Sequence, residues 1–282
     1  MLANVLSILG PKIRCVVLCP QGDAQDQFRT LGVQVLSPEF PIRQFTHISG
    51  FNRPALHPGF IRDLAGIRHT SRHLARLIAK LSPRIVHYNA VTLAPYIQLA
   101  QRQRSKAVAM VQETPIRGLC GLRTAWLKRM LAKADATLFI SNFDKVAWGH
   151  GSSPTASVLP NWVDLREFRL HHHTANIRRN LGIPLSATVC LFLGGVSELK
   201  GTLTAVRAVE AASKYRDIYL ILAGYSAAAL TNPSPKTYAG SVQSAMARLG
   251  TRVACVGCVS DVVSLYTACD IVLFPAAKPH QS

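Results

Sequence analysis

Val189-Cys190-Leu191-Phe192-Leu193 is an unbroken apolar run that ends in Gly194-Gly195, and Lys200-Gly201 follows where a helical pattern begins. Five apolar residues without polar alternation fit a strand covered on both faces, which is the habit of parallel sheets. The scheme repeats downstream. Residues 219–223 (YLILA) form a second such run, ending in Gly224, with helical spacing over 203–215 before it and 242–249 after it. A strand at 252–256, a short helix at 262–269 and a last strand at 271–274 complete the series. Upstream, strands at 84–88, 107–111 and 137–141 alternate with helices at 93–102 and 122–134, and Asn142 is placed to cap the helix after the third strand. Strands separated by helices of this length indicate βαβ units and a parallel sheet.

The chain has 282 residues, enough for about two domains at ~150 residues each. The expected division is 1–165 and 166–282. The opening residues read as an apolar segment at 2–9, a strand at 14–18, a helix that Asp23 caps and Gly32 ends, and a strand at 33–36. Residues 37–59 carry four Pro and two Gly and read as a long surface loop. No stretch reaches the ~18 apolar residues of a membrane span, and no basic region precedes the apolar start as a signal peptide requires.

Lys and Arg number 32 against 14 acidic residues, a net charge of +18. Residues 1–160 hold 20 basic and seven acidic residues, so most of the excess lies in the first half. An anionic partner there, or a basic surface serving solubility, both account for it. The helix at 60–81 concentrates the charge: Leu64, Ile67, Leu74, Ile78 and Leu81 make its apolar face, while Arg68, Arg72, Arg76 and Lys80 form a stripe at four-residue spacing. Like charges at that spacing cost a few tenths of a kcal/mol each, so the stripe is either a solvated face or a contact for anions such as lipid headgroups. His69 and His73 share the helix, but two His without a third ligand do not make a metal site.

The seven cysteines, at 15, 19, 120, 190, 255, 258 and 269, are odd in number, and several fall in apolar runs, as expected for small hydrophobes in a reducing compartment. Cys255 and Cys258 form a lone CxxC with no second pair, which reads as a turn or core feature rather than zinc binding. His171–His173 reads as a linker.

In open parallel sheets ligands gather at the carboxyl ends of the strands. Gly194-Gly195 sits at such an end, where backbone can approach a phosphate, and Lys200 stands at the start of the next helix, where the dipole also favours anions. The pattern is neither a P-loop nor the GxGxxG fingerprint.

Four segments in fixed order, Ser82-Pro-Arg-Ile-Val-His87, Leu159-Pro-Asn-Trp-Val-Asp164, Phe192-Leu-Gly-Gly-Val-Ser-Glu-Leu-Lys-Gly201 and Leu265-Tyr-Thr-Ala-Cys-Asp-Ile-Val-Leu-Phe-Pro275, resemble the group 1 (family 4) GT-B glycosyltransferases. The resemblance implies an α/β chain of two Rossmann-like parallel-sheet domains facing a cleft. Residues 1–165 would be the acceptor-side domain, with its first strand missing, and 166–282 an incomplete nucleotide-sugar domain. The chain is thus expected to be truncated at both ends.

It implies sugar transfer from a nucleotide-sugar to a hydroxyl, with retention and without metal or cofactor, in glycan, glycolipid or cell-envelope polysaccharide synthesis. On the donor side it points to Gly194, Gly195, Lys200, Gly224 and Asp261, with Lys200 holding the diphosphate. Gly195 stands where many members carry Arg. On the acceptor side it points to His87, Asn89 and Gln112. Glu113 and His87 are the catalytic candidates within the chain, because the family's glutamate pair would lie beyond Ser282. His87 reads equally as a hydrogen-bonded strand-end histidine. The implied partners are a nucleotide-sugar, a glycan or lipid-linked acceptor and an anionic membrane surface, which places the protein in the cytoplasm or on the inner membrane face. A GT-B nucleotide-sugar epimerase and an inactive fragment are the alternatives. A nucleic-acid binder rests on net charge alone, since no binding-module motif is visible.

Overall fold

The computed structural model describes residues 2–9, 12–45, 47–48, 51–52, 58–115, 121–163, 174–231 and 233–276. Asp164, His171–His173, Cys120 and Pro279–Ser282 lie outside the described residues. The chain divides into two compact units at Trp162/Val163.

Unit 1 begins with α1 (Leu2–Leu9), β1 (Val16–Leu18), α2 (Asp23–Thr30) and β2 (Gln34–Leu36). β1 and β2 pair in parallel, and Leu6, Phe28 and Val33 form a small core around them. The cap of α2 is Gly22 and Asp23 is its first helical residue, so the carboxylate acts on the helix dipole instead of closing the turn. Next come β3 (His47–Ile48), antiparallel to β4 (Phe51–Asn52), and α3 (Pro58–Leu81).

The segment expected as a surface loop thus contains two short antiparallel strands, and it also enters the core. Phe45 is buried against Trp126, with ring centroids 4.5 Å apart, and its N–H bonds Thr92 O at 3.0 Å. Its prolines punctuate the chain, while one aromatic ring gains more from burial than the loop gains from water.

β5 (Ile85–Tyr88) leads through a 3-10 turn (Val91–Tyr96) into α4 (Ile97–Arg102), β6 (Lys106–Val111), α5 (Leu122–Leu131), β7 (Ala136–Phe139), α6 (Asn142–Ala147) and β8 (Ala156–Val158). Strands β5-β6-β7-β8 lie side by side in that order, all parallel. Ser141, not Asn142, caps α6: its hydroxyl accepts the Asp144 N–H at 3.1 Å. Both residue types suit the role, and the extended backbone at Ser141 decides it.

Unit 2 contains α7 (Thr174–Asn180), β9 (Thr188–Phe192), α8 (Thr202–Ala212), β10 (Ile218–Ala223), α9 (Tyr238–Leu249), β11 (Val253–Gly257), α10 (Val262–Ala268) and β12 (Ile271–Val272). The order β11-β10-β9-β12, all parallel, places a topological switch between β9 and β12. Alternate residues of the central strands feed two separate cores. Cys190, Phe192, Leu220 and Leu222 pack against residues of α8 and α9, while Val189, Leu191, Ile221 and Ala223 pack against Ile183 and Leu265 on the other face. Burying one such large side chain contributes about 1.5–3 kcal/mol, which is why these runs contain no polar residue. At the sheet edge, Ile271, Val272 and Phe274 stay about half exposed.

One buried cation ties α7 to the sheet. Arg178 Nε donates to Ala268 O at 2.9 Å, Nη1 to Ala187 O at 3.1 Å and Leu185 O at 3.2 Å, and Nη2 to Asp270 Oδ2 at 2.9 Å. The same Asp270 oxygen accepts the Val189 N–H at 2.7 Å. Replacing Arg178 would strand three carbonyls, although the half-exposed Asp270 carboxylate would regain water. Arg178→Met is therefore expected to destabilise the chain by roughly 2–3 kcal/mol, read as a lower urea midpoint at unchanged slope.

Candidate functional site

Three loops at the carboxyl ends of β9, β10 and β11 are laced together by backbone. Gly195 N–H donates to Ala223 O at 3.0 Å, and Gly224 N–H donates to Gly257 O at 2.7 Å. All three glycines adopt left-handed φ, +65°, +86° and +66°. A Cβ on Gly195 would strike the Gly224 carbonyl oxygen. Arginine at this position would therefore need the two loops to part. The missing cation is exchanged for a closer approach of backbone to backbone.

The Gly194–Gly201 loop is held from below by Thr202, which is fully buried. Its hydroxyl donates to Gly195 O at 2.8 Å, lies 3.0 Å from Ser197 O, and accepts the Ser197 N–H at 2.9 Å. Tyr238, from α9, accepts the Leu203 N–H at 2.9 Å and reaches Ser197 O at 3.2 Å. The Thr202 N–H bonds Ser197 O at 3.2 Å, and the Lys200 N–H lies 3.3 Å from Ser197 Oγ. The first amides of α8 are thus used inside the protein, which alters the expectation of a helix end donating directly to an anion. What that end offers is its dipole and the half-buried Lys200 side chain. Gly201, at φ +79°, packs its Cα against the Pro275 carbonyl beyond β12, so the loop sits at the β9/β12 switch.

Beside the laced loops lies an open pocket of about 600 Å³, walled by Tyr225, Thr231, Gln243, Met246, Cys255 and Cys258 among others. Tyr225 is almost fully buried. Burial first, and then the neighbouring Cys255 thiol, push its phenol pKa up. Asp261 is the N-cap of α10: one oxygen accepts the Ser264 N–H at 3.0 Å and the other meets the Ser264 hydroxyl. Its carboxylate serves that cap.

In unit 1, Asn89, Gln112 and Glu113 converge at the carboxyl ends of β5 and β6. Gln112 Nε2 donates to Asn89 O at 3.1 Å and to its Oδ1 at 3.3 Å. Glu113 Oε2 accepts two backbone amides, Gln112 N–H at 3.0 Å and Val91 N–H at 3.2 Å. Its own carbonyl accepts the Trp148 indole N–H at 2.7 Å. Desolvation raises the Glu113 pKa, the two amides pull against it, and the buried Asp144 pushes it further up. His87 is exposed on β5, so the downward pull of desolvation on its imidazole is partly relieved by water. It joins none of the hydrogen bonds of the Asn89 cluster.

Arg68, Arg72, Arg76 and Lys80 are all exposed along α3, and Ile61 and Leu64, each about half exposed, share the helix's water-facing surface. His69 and His73 stack 4.4 Å apart, and Phe40 lies on His73 at 4.3 Å. Among the described residues, no group of three or more His, Cys, Asp or Glu is placed to hold a metal ion. None of the helices described is long and apolar enough to cross a membrane. Tyr238, Gln243 and Met246 carry no signature in the sequence, because each acts on a segment distant along the chain, whereas Thr202 has partners only five and seven residues away and reads as an ordinary first helical residue.

No protein-family model matches the chain, and no curated protein matches it. Solved structures do. A glycosyltransferase from Rickettsia africae ESF-5 superposes with a TM-score of 0.71 at 18% identity, over 99% of this chain and 68% of that one. Anabaena HepE, solved in complex with UDP, gives 0.73 at 17% identity, over 99% and 71%. Sucrose-phosphate synthase from Thermosynechococcus elongatus gives 0.64 at 16% identity, over 96% and 67%. The fold is that of the GT-B glycosyltransferases.

A group whose folded pKa is raised contributes stability below its unfolded pKa and loses it as pH climbs through the folded one. Glu113 is such a group. Glu113→Gln is therefore expected to melt above the wild type at pH 7.5, with the difference closing by about pH 4. Thermal denaturation at the two pH values measures it, and a lower midpoint at pH 7.5 would mean the two amide bonds outweigh desolvation.

Proposed function

We propose that the chain transfers a sugar from a nucleotide-sugar to a hydroxyl acceptor, with retention at the anomeric carbon and without a metal. The observation that carries this reading is the lacing of Gly195, Gly224 and Gly257 beside Lys200, at the strand ends where parallel sheets take ligands. HepE has been solved with UDP and with UDP-glucose, which makes a uridine diphosphate sugar the first donor to try.

In this reading the pocket by Tyr225 takes the nucleoside and the Gly194–Lys200 loop takes the diphosphate. As the bond between the anomeric carbon and the diphosphate oxygen breaks, negative charge grows on the leaving group. Lys200 and the α8 dipole stabilise that charge, most effectively where water is thin. The acceptor oxygen bonds the anomeric carbon, and its proton passes to the departing diphosphate oxygen. Gly194 lets the backbone stand close to the donor, and Gly195 fixes the loop.

Unit 1 is assigned the acceptor. Asn89 and Gln112 offer amide groups for sugar hydroxyls, and Glu113 offers a carboxylate whose raised pKa suits proton exchange. The exposed α3 stripe, with Ile61 and Leu64 beside it, supplies the charge and apolar contact that surface association with anionic lipid needs. It suits a lipid-linked or envelope acceptor at the inner face of the membrane.

Lys200→Ala is expected to weaken UDP binding by roughly tenfold to a hundredfold while leaving uridine binding nearly unchanged, as loss of a charge-assisted contact implies. Calorimetry with both ligands checks it, and an equal loss for uridine would remove Lys200 from the diphosphate. Product analysis with and without acceptor separates transfer from epimerisation of the sugar.

Replacing Arg68, Arg72, Arg76 and Lys80 by Gln is expected to abolish co-sedimentation with vesicles rich in anionic lipid, since each basic residue near such a surface is worth about 1 kcal/mol. Unchanged sedimentation would end the membrane assignment.

A further inference from the structure

Two thiols stand in the wall of the unit 2 pocket, and the proposed transfer uses neither. Cys255 and Cys258 are three residues apart, so on a regular strand their side chains would point to opposite faces of the sheet. The strand is not regular there. Leu222 pairs with Cys255 but Ala223 pairs with Gly257, so Val256 is an extra residue in the ladder. Gly257 then turns with φ +66°, a conformation that favours glycine. Bulge and turn together bring both cysteines to one pocket, which Gln243 and Met246 also line.

They are also the accessible thiols. Among the described cysteines, Cys190 is buried and Cys15, Cys19 and Cys269 are partly covered, whereas Cys255 and Cys258 are exposed. Cys258 Sγ donates to the Tyr225 carbonyl at 3.3 Å, and Cys255 lines the same pocket as Tyr225. The space before them, about 600 Å³, lies within the usual range for small-molecule sites.

We propose that Cys255 and Cys258 form a thiol-exchange site, at which a small peptide disulfide of the glutathione type leaves one of its halves and closes the pocket. A cysteine gives up its proton and its sulfur attacks one sulfur of the small disulfide. The old S–S bond breaks, a protein mixed disulfide forms, and the second half departs as a thiolate that takes up a proton. The attached group fills the volume in front of Tyr225. A reducing thiol reverses the exchange by the same steps. The site itself stands on the geometry of the two thiols, and only its effect on nucleotide binding rests on the donor-site reading above.

The test incubates the full chain with glutathione disulfide, with and without saturating UDP, and follows intact mass and peptide maps. The variants Cys255→Ser, Cys258→Ser and the double variant accompany it. The expected result is one glutathionyl group per chain, placed by fragmentation on Cys255 or Cys258 within the tryptic peptide that begins at Val253 and also holds Cys269. It is released by dithiothreitol, absent at that peptide from the double variant, and slowed about tenfold by UDP. The modified protein is expected to bind UDP about tenfold more weakly or not at all. Adducts formed at the wild-type rate in the double variant would overturn the inference. So would the lack of any adduct, an internal disulfide in its place, or undiminished UDP binding by the modified chain. A chain that takes the adduct but never binds UDP in either state would overturn the donor-site reading and leave the exchange site standing.

Discussion

A strand covered on both faces has no side on which a polar side chain can reach water. β9 and β10 are such strands, and their alternate residues serve two cores at once. The backbone is satisfied by neighbouring strands, so everything reactive is driven to the strand ends. There the chain must turn sharply, and turns packed against other turns leave no room for a Cβ. Glycine at 195 and 224 answers that requirement, the left-handed φ at 257 favours glycine without any such crowding, and the hydrogen bonds between these loops convert three separate turns into one surface. The Arg178–Asp270 clasp works on the same strand from its other end, since Asp270 also takes the amide of Val189.

Unit 1 meets the same constraint with different residues. The ends of β5 and β6 are joined by side chains, Gln112 to Asn89 and Glu113 to the amides of residues 91 and 112. A carboxylate in that place is costly, because it is desolvated and close to a second buried acid. Two backbone donors offset part of the cost. A group held in this balance is poised to exchange a proton, and it also pins the 3-10 turn that starts at Val91. The structural role and the proposed chemical one therefore fall on the same residue at Glu113, whereas at Asp261 the carboxylate is taken up by the cap of α10.

Much of this could be read along the chain. The apolar runs gave the strands of unit 2, and the 3/4 spacing gave α3, within two residues at its start. The glycines at the strand ends mark the loops that the structure finds laced together, and the four exposed cations of α3 follow from their spacing. The misreadings share a cause. Asp23 and Asn142 were reasonable caps, but Gly22 and Ser141 had the backbone conformation for the role. The 37–59 segment reads as loop because proline and glycine are local signals, while the burial of Phe45 depends on Trp126, far along the chain in α5.

Sequence alone determined the class of fold, the two-part organisation to expect and the candidates Lys200, Gly194 and Gln112, because backbone periodicity and turn chemistry act over a few residues. Tertiary structure alone decided which loops touch. It set Gly195 against Gly224, placed Tyr238 over the start of α8, used Asp261 as a cap, and through one bulge turned Cys255 and Cys258 to the same pocket. The contacts between loops and between helix and loop join residues tens of positions apart, and their partners are chosen by how whole elements pack, which no local pattern encodes; the Asp261 cap is local, three residues long, and the folded backbone shows that the carboxylate is used there.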